Sequence, residues 1–438
     1  MKYAISLLVF AVWAGAASEA QSPLREQALR EAALAAGVVP LEQILVPADP
    51  AMAKLGEDLF ASPLLSLNGD MSCQTCHLDR FSSADGLPNA VGTGGTGEGR
   101  ERLMTGRGDI VPRNALALWG RGTKGFDTFF WDGKVKLTPD GVASQFGASV
   151  PSDDPLVVAV HLPFVEIREM VVLDKEVEAE LEHEDVAAAT RVFLQLSERV
   201  RADGKLGPGL AKAARKPRDQ IAFTDIAEAI AAFIRTKFAV RHTHFHDFLF
   251  DKGQMSEEAI RGGLIFYGKG RCSSCHSGPL MSDLEFHAMP FEQLGFGKNG
   301  FGVDYGRYNA TLDPADIYTF RTPPLINVTR TGPYTHSGAI ADLTPMIRTH
   351  SDPLATYDGQ SRTPVQRRED LARLLAWGGA SELPEPLSDH DINNVITFLT
   401  TLETRDFRQW GAKCRRVTTT NGQHMWLGRG RLENSLRG

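Results

Sequence analysis

A chain of 438 residues, 42% hydrophobic and 23% charged, is long enough to bury a large core and apolar enough to fold, which excludes a disordered polymer. Its formal net charge of −7 is mild for this length. That argues against nucleic acid or an anionic membrane surface as the main partner and leaves a cationic or mixed protein partner open.

In chain order, residues 1–20 read as a secretion signal. Lys2 gives a weak positive start, Ala4 to Ala17 is apolar and small, and Ser18-Glu19-Ala20 has the small-x-small form of a cleavage site. The apolar run is shorter than the roughly 20 residues that span a bilayer, and no later stretch is long and apolar enough to do so. A mature chain starting near Gln21, in the periplasm, is the expectation.

Four of the five cysteines fall in two copies of C-x-x-C-H, the spacing of covalent haem attachment. One is Cys73, Cys76 and His77; the other is Cys272, Cys275 and His276. With 5 Cys and 12 His in the chain, about 0.002 copies are expected by chance. A dithiol redox pair or a zinc site accounts for the cysteines but not for a histidine directly after each motif. Two c-type haems are therefore expected, with His77 and His276 each binding iron on one face. What lies on the other face sets function, because a second strong ligand makes an electron carrier and an open face makes a catalyst.

The surroundings of the motifs repeat. Leu55-Gly56-Glu57-Asp58-Leu59-Phe60 precedes the first and Gly263-Leu264-Ile265-Phe266-Tyr267 the second. Downstream, Ile226, Ile230 and Phe233 recur at helical spacing behind a Thr224 cap. Ser388 and Asp391 form a capping box for a second closing helix carrying Ile392, Val395, Ile396, Leu399 and Leu402. The reading is a mainly α protein of two packed cytochrome c-like haem domains, with long irregular loops and few short strands. The expected boundaries are 21–240 and 241–404, with a basic extension over 405–438.

Between these landmarks, the glycine-rich run from Asp79 to Asp109 fits a loop over the haem better than a phosphate cradle, since no strand leads in and no clear helix follows. Ala202 to Lys216 reads as a surface connection. His242, His244 and His246 alternate; they are a metal-site candidate only if extended, and otherwise structural. The tail holds eight Lys/Arg against two acids and the lone Cys414, either a free thiol or one paired between molecules.

Four further segments fall in order around the two motifs: Pro112-Arg113-Asn114, Phe130-Trp131-Asp132-Gly133, Pro163 through Glu169-Met170, and Thr331-Gly332-Pro333-Tyr334-Thr335-His336-Ser337-Gly338. With them the chain resembles the bacterial di-haem cytochrome c peroxidase and MauG superfamily over almost its whole mature length. The resemblance implies that hydrogen peroxide reacts at the first haem, with Glu169, placed by the Pro163 segment, as the acid/base above it. It implies that Trp131 lies between the haems and carries oxidising equivalents. It also implies an inter-haem calcium site formed by Asn114 and the carbonyls of Thr331 and Pro333.

The chain departs from the peroxidases in two places. Many of them cover the resting first haem with a histidine, and none occurs here between Leu78 and Val160, which makes that haem open, as in MauG. Ala159 stands where a distal glutamine is common, and His161 nearby either enters the pocket or is structural. On the second haem the peroxidases place a methionine and MauG a tyrosine; the matching position, fourteen residues beyond His336, is His350. Bis-histidine ligation lowers the potential relative to His/Met; Met346 and Tyr357 are the neighbouring alternatives.

These differences lean toward the MauG-like branch, which includes the methanobactin-pathway enzyme MbnH and oxidises side chains of partner proteins. Two other readings remain: a peroxidase drawing electrons from a small cytochrome c, and a plain electron-transfer cytochrome.

Overall fold

The computed structural model describes residues 23–171, 175–379 and 384–404. The leader, the basic tail and Cys414 lie outside them. Helix α1 (23–35) is followed by α2 (Pro50–Phe60), α3 (Pro155–His161), α4 (Val186–Ala202), α5 (Leu206–Ala214) and α6 (Phe223–Lys237). Then come α7 (His244–Phe250), α8 (Glu257–Tyr267), α9 (Leu343–Ser351), α10 (Pro364–Gly378) and α11 (Asp389–Thr400). A three-stranded antiparallel sheet is built from β1 (Thr128–Phe129), β2 (Val135–Thr138) and β3 (Gly141–Ala143), with Phe129 opposite Val135 and Lys136 opposite Ala143. A two-stranded ladder pairs β4 (Phe286–Ala288) with β5 (Thr319–Arg321). The fold is mainly helical. Among the described residues no helix is long and apolar enough to cross a membrane.

The duplication read from the sequence reappears as two matching helix crossings. In the first half α2 packs on α6, and Gly56 lies where an added Cβ would stand 1.9 Å from the Ala229 carbonyl oxygen. In the second half α8 packs on α11, and Gly262 lies 1.9 Å by the same measure from the Asn394 carbonyl oxygen. Only glycine lets two backbones approach this closely. Each crossing is completed by an aromatic pair, Phe60 on Phe233 at 5.1 Å and Phe266 on Phe398 at 5.2 Å between ring centroids. Each buried ring contributes about 1.5–3 kcal/mol of transfer free energy.

Two cores follow. One gathers residues from Leu41 to Val240, with Leu280, Leu284 and Ile326 reaching in from the second half. The other gathers residues from Phe245 to Leu402 together with Leu29, Ala33 and Val38. The N-terminal helix α1 thus docks on the second haem's core, a long-range packing that its own periodicity does not disclose.

Two local expectations are corrected. The closing helix α6 starts at Phe223, with Ala222 as its cap residue, so Thr224 lies inside the helix. The free N–H of Ala222 is instead taken up by the Asp225 carboxylate, at 2.8 Å. The expected surface connection at 202–216 contains α5, because Asp203 accepts from the N–H groups of Lys205 and Leu206 while Leu206 and Leu210 are buried. Pro208 falls in its first turn, where no intrahelical N–H is missed. The Ser388–Asp391 capping box forms as expected.

Candidate active site and haem pockets

Each C-x-x-C-H segment opens with a single helical turn, and all four cysteines are half-buried free thiols. Burial pushes the Cys73 and Cys272 thiols up to about 12 and Cys76 well above its ordinary value. A reactive dithiol or zinc site needs surroundings that favour thiolate, and these favour the neutral thiol. In each motif the histidine is oriented the same way. His77 Nδ1 sits 2.8 Å from the Ser83 carbonyl and His276 Nδ1 3.0 Å from the Met281 carbonyl. The carbonyl fixes the Nδ1–H tautomer and leaves Nε2 to bind a metal. Burial holds both rings down at about 4, so both are neutral, the form that coordinates iron.

The pockets also suit the anionic edge of a haem. Arg121 and Arg321 are buried, Arg321 acts on Arg121 as a like charge, and each keeps an Nη2 with no protein partner. Burial lowers Arg121 to about 9 and Arg321 to about 10. Arg121 also acts on His77, which places it at the first pocket. Buried cations of this kind need an anion, which the propionate groups of a haem would supply. Neither arginine stands out in sequence; the signal is visible only as an orphaned donor.

Glu169 is positioned by a run of compact turns. Helix α3 is capped by Asp154 and leads into the turn Leu162–Val165, in which Pro163 supplies a rigid early position. The N–H groups of Glu169 and Met170 both return to the Glu166 carbonyl. The glycine-rich loop packs against this segment: a Cβ on Gly92 would stand 1.7 Å from the Arg168 carbonyl oxygen. That loop is organised by buried Arg102, which donates to the carbonyls of Val91, Gly92 and Gly95. The glycines therefore serve close approach around the distal segment.

Electrostatically, Glu169 faces the first motif, since its charge helps raise both Cys73 and Cys76. Burial and neighbouring Glu166 push its carboxyl up to about 7, with Lys134 and Lys298 pulling the other way. Glu166 itself, though burial opposes it, is held well below the usual carboxylate range by those lysines. Lys298 Nζ lies 2.7 Å from Glu166 Oε1 and Lys134 pairs with Oε2. Sequence reasoning missed this bracket because Lys298 arrives from the other half of the chain. An open depression of about 560 Å³, lined by Gly108, Asp109, Ile110, Arg168 and Phe296, adjoins the segment.

Trp131 joins the two halves. Its indole N–H donates to the Asn114 carbonyl at 3.0 Å, and its own carbonyl accepts from the Arg321 N–H at 2.8 Å. Asn114 Nδ2 lies 2.6 Å from the Pro333 carbonyl, and its buried Oδ1 has no partner. Thr331 stands two residues before Pro333 and turns its hydroxyl to the Val328 carbonyl. Nearby, Arg113 forks onto Asp304 of the second half at 2.7 and 2.8 Å and reaches Asp132 at 2.5 Å.

On the second haem's side, His350 occupies the last turn of α9 with Nδ1 2.8 Å from the Met346 carbonyl, and it influences His276 directly. Tyr357 is 38% exposed and acts on Arg362 instead. His161 is 1% exposed, bonds the Val157 carbonyl and is boxed by Phe146, Phe193 and Phe223, which gives it a structural role. The alternating histidines begin α7 and diverge: His242 and His244 are exposed, while buried His246 bonds Thr243. Cys275, Asp283 and His287 bring ligand atoms within 4.8 Å of one another. Haem attachment at the second motif would take the Cys275 sulfur into a thioether and leave Asp283 and His287 paired with each other.

Two cytochrome c-like halves, each with an attachment motif and an oriented histidine, define a di-haem c-type cytochrome whose halves differ on their distal sides. Residues 50–254 match the family model described as di-haem cytochrome c peroxidase. The chain is similar to the cytochrome-c peroxidase IdrP1 of Denitromonas iodatirespirans, 28% identical over 80% of this chain and 88% of that one. It is likewise similar to the methylamine utilization protein MauG of Paracoccus denitrificans, 27% identical over 82% and 90%. Among solved structures, a MauG-like protein associated with microbial copper homeostasis shares the fold at TM-score 0.61 and 23% identity, over 85% of this chain and 93% of that one. These likenesses are to di-haem cytochrome c peroxidases and MauG proteins, and the chain is a di-haem peroxidase-type oxidoreductase.

Proposed function

We propose that the protein reacts with hydrogen peroxide at the Cys73/Cys76/His77 haem and uses the oxidising equivalents on a side chain of a partner protein. A c-type haem at each motif supplies the iron redox chemistry. Glu169 carries the reading: a half-buried carboxyl held near neutrality beside the first motif takes a proton from peroxide as base and returns it to the leaving oxygen as acid. Glu166, kept ionised by Lys134 and Lys298, fixes that poise. With His161 boxed in aromatic rings, it is not free to cover the first haem, which supports an open face there.

His276 and His350 would hold the iron of the second haem, since each has Nδ1 engaged by a backbone carbonyl and Nε2 left for a metal. Trp131 links the halves by hydrogen bonds and is the relay between them. Asn114 Oδ1 with the carbonyls of Pro333 and Thr331 would hold calcium as hard oxygen donors. The domain division at about residue 240 and export to the periplasm complete the reading. A second reading, a peroxidase drawing electrons from a small cytochrome c, is favoured by the family model and the IdrP1 likeness.

One titration separates them. Adding peroxide to the fully oxidised holoprotein should give a long-lived two-electron-oxidised state without prior reduction. Activity only after half-reduction, with rapid turnover of a small cytochrome c, would establish the peroxidase reading instead.

A further inference from the structure

Three of the chain's seven tyrosines meet in one place. The Tyr305 ring lies 5.9 Å from Tyr318 and 6.0 Å from Tyr308, centroid to centroid, and all three are half-buried. Tyr318 takes a left-handed φ of +65°, uncommon for an aromatic residue. Its N–H is tied to the Tyr305 carbonyl at 3.0 Å. Its phenol donates to Glu369 Oε2 at 2.6 Å, in the short range of a hydroxyl bonded to a carboxylate.

The cluster is wired to the inter-haem region. Tyr318 directly precedes β5, whose Arg321 donates its N–H to Trp131 and its Nε to Phe130. Along an extended strand those three residues cover about 10 Å. Between them Phe320 stacks on His336 at 3.8 Å.

Resting on the di-haem reading, we propose that Tyr318 is a redox-active tyrosine: it gives one electron, by way of Trp131, to the peroxide-oxidised haem pair while its phenolic proton passes to Glu369. The O–H bond breaks, a neutral tyrosyl radical remains and Glu369 becomes a carboxylic acid. Re-reduction by one electron from an external reductant, such as a docked protein's oxidisable side chain, returns the proton. Arg373, 2% exposed with its guanidinium 5.5 Å from the Tyr318 ring centre, opposes positive charge on that ring. Electron loss is therefore coupled to proton loss, and Glu369 is placed to accept the proton. Tyr305 and Tyr308 extend the path over further rings.

The test uses the holoprotein, freeze-quenched after one equivalent of hydrogen peroxide, with electron paramagnetic resonance for the radical, the Soret band for the haems and peptide mass mapping for oxidised tyrosine. Expected are a tyrosyl signal in the wild type and its loss in Tyr318→Phe, with the Soret change at its wild-type rate. Glu369→Gln, which keeps a hydrogen-bond acceptor but not a base, should lower the radical yield by about ten-fold or more, and Glu369→Asp should restore part of it. A normal Soret response with a tyrosyl signal that survives Tyr318→Phe, or with no tyrosyl signal in the wild type, overturns this proposal alone. A Soret band that ignores peroxide overturns the peroxide-reactive di-haem reading and this proposal with it.

Discussion

Glu169→Gln preserves size and hydrogen bonding and removes only the ability to exchange a proton. Lifting the carboxyl from its ordinary value of 4.5 to about 7 corresponds to about 3 kcal/mol of bias against its charge. The base form is therefore scarce below neutrality and accumulates above it. The rate constant for reaction with peroxide, followed by stopped flow on the Soret band from about pH 5 to about pH 9, should rise through an inflection near 7. In Glu169→Gln it should be about 10²–10⁴-fold lower and lose that inflection. The neighbours supply the sign. Glu166→Gln removes a negative charge and leaves both lysines, so the inflection moves down; Lys298→Met removes a positive one, so it moves up. A Gln variant within ten-fold of wild type with an unchanged profile, or two neighbour variants moving the inflection the same way, would refute the assignment.

His350→Ala should turn the second haem from low-spin to high-spin, and an unaltered low-spin absorption spectrum excludes it as ligand. Asp304→Ala leaves Arg113, which clamps the halves together, with Asp132 as its remaining carboxylate; chemical denaturation should show a loss of about 1.5–3 kcal/mol, and a loss under about 1 would mean the clamp is solvated. Gly56→Ala forces α2 off the Ala229 carbonyl and should cost about 1–3 kcal/mol by the same measurement, as should Gly262→Ala in the second half. Calcium chelation should change the haem spectra of the wild type and leave Asn114→Ala unaffected; chelation without effect on either removes the ion from the site.

The parts legible in sequence are those carried by short segments. Each C-x-x-C-H motif fixes two haem-attaching sulfurs and one iron-binding imidazole within five residues, and the Ser388 cap needs only Asp391 three positions on. Glu169 was reachable through its neighbourhood in chain order, but its chemistry was not. Its poise depends on Lys298, brought across by the packing of the second half, and its placement on a loop that Arg102 organises and that composition shows only as glycine-rich. Arg121 and Arg321 were hidden for the same reason, since an orphaned guanidinium exists only once burial is known. Helix α5 was missed because Gly207 and Pro208 suggest a breaker, whereas Asp203 capping and two buried leucines outweigh them.

The two halves use the same devices up to the haem and diverge beyond it. Glycine at the helix crossing, a paired phenylalanine and a histidine steered by a backbone carbonyl occur in both, so inheritance of one unit explains them. In the proposed reading the distal side of the first half offers a carboxyl pushed up to about 7, and that of the second an imidazole whose Nδ1 is already engaged. A proton-exchanging group leaves room for a substrate oxygen, while an oriented imidazole competes for the same position. The division of labour thus rests on which side chain stands opposite each histidine, and exchanging those side chains should move reactivity between otherwise similar pockets.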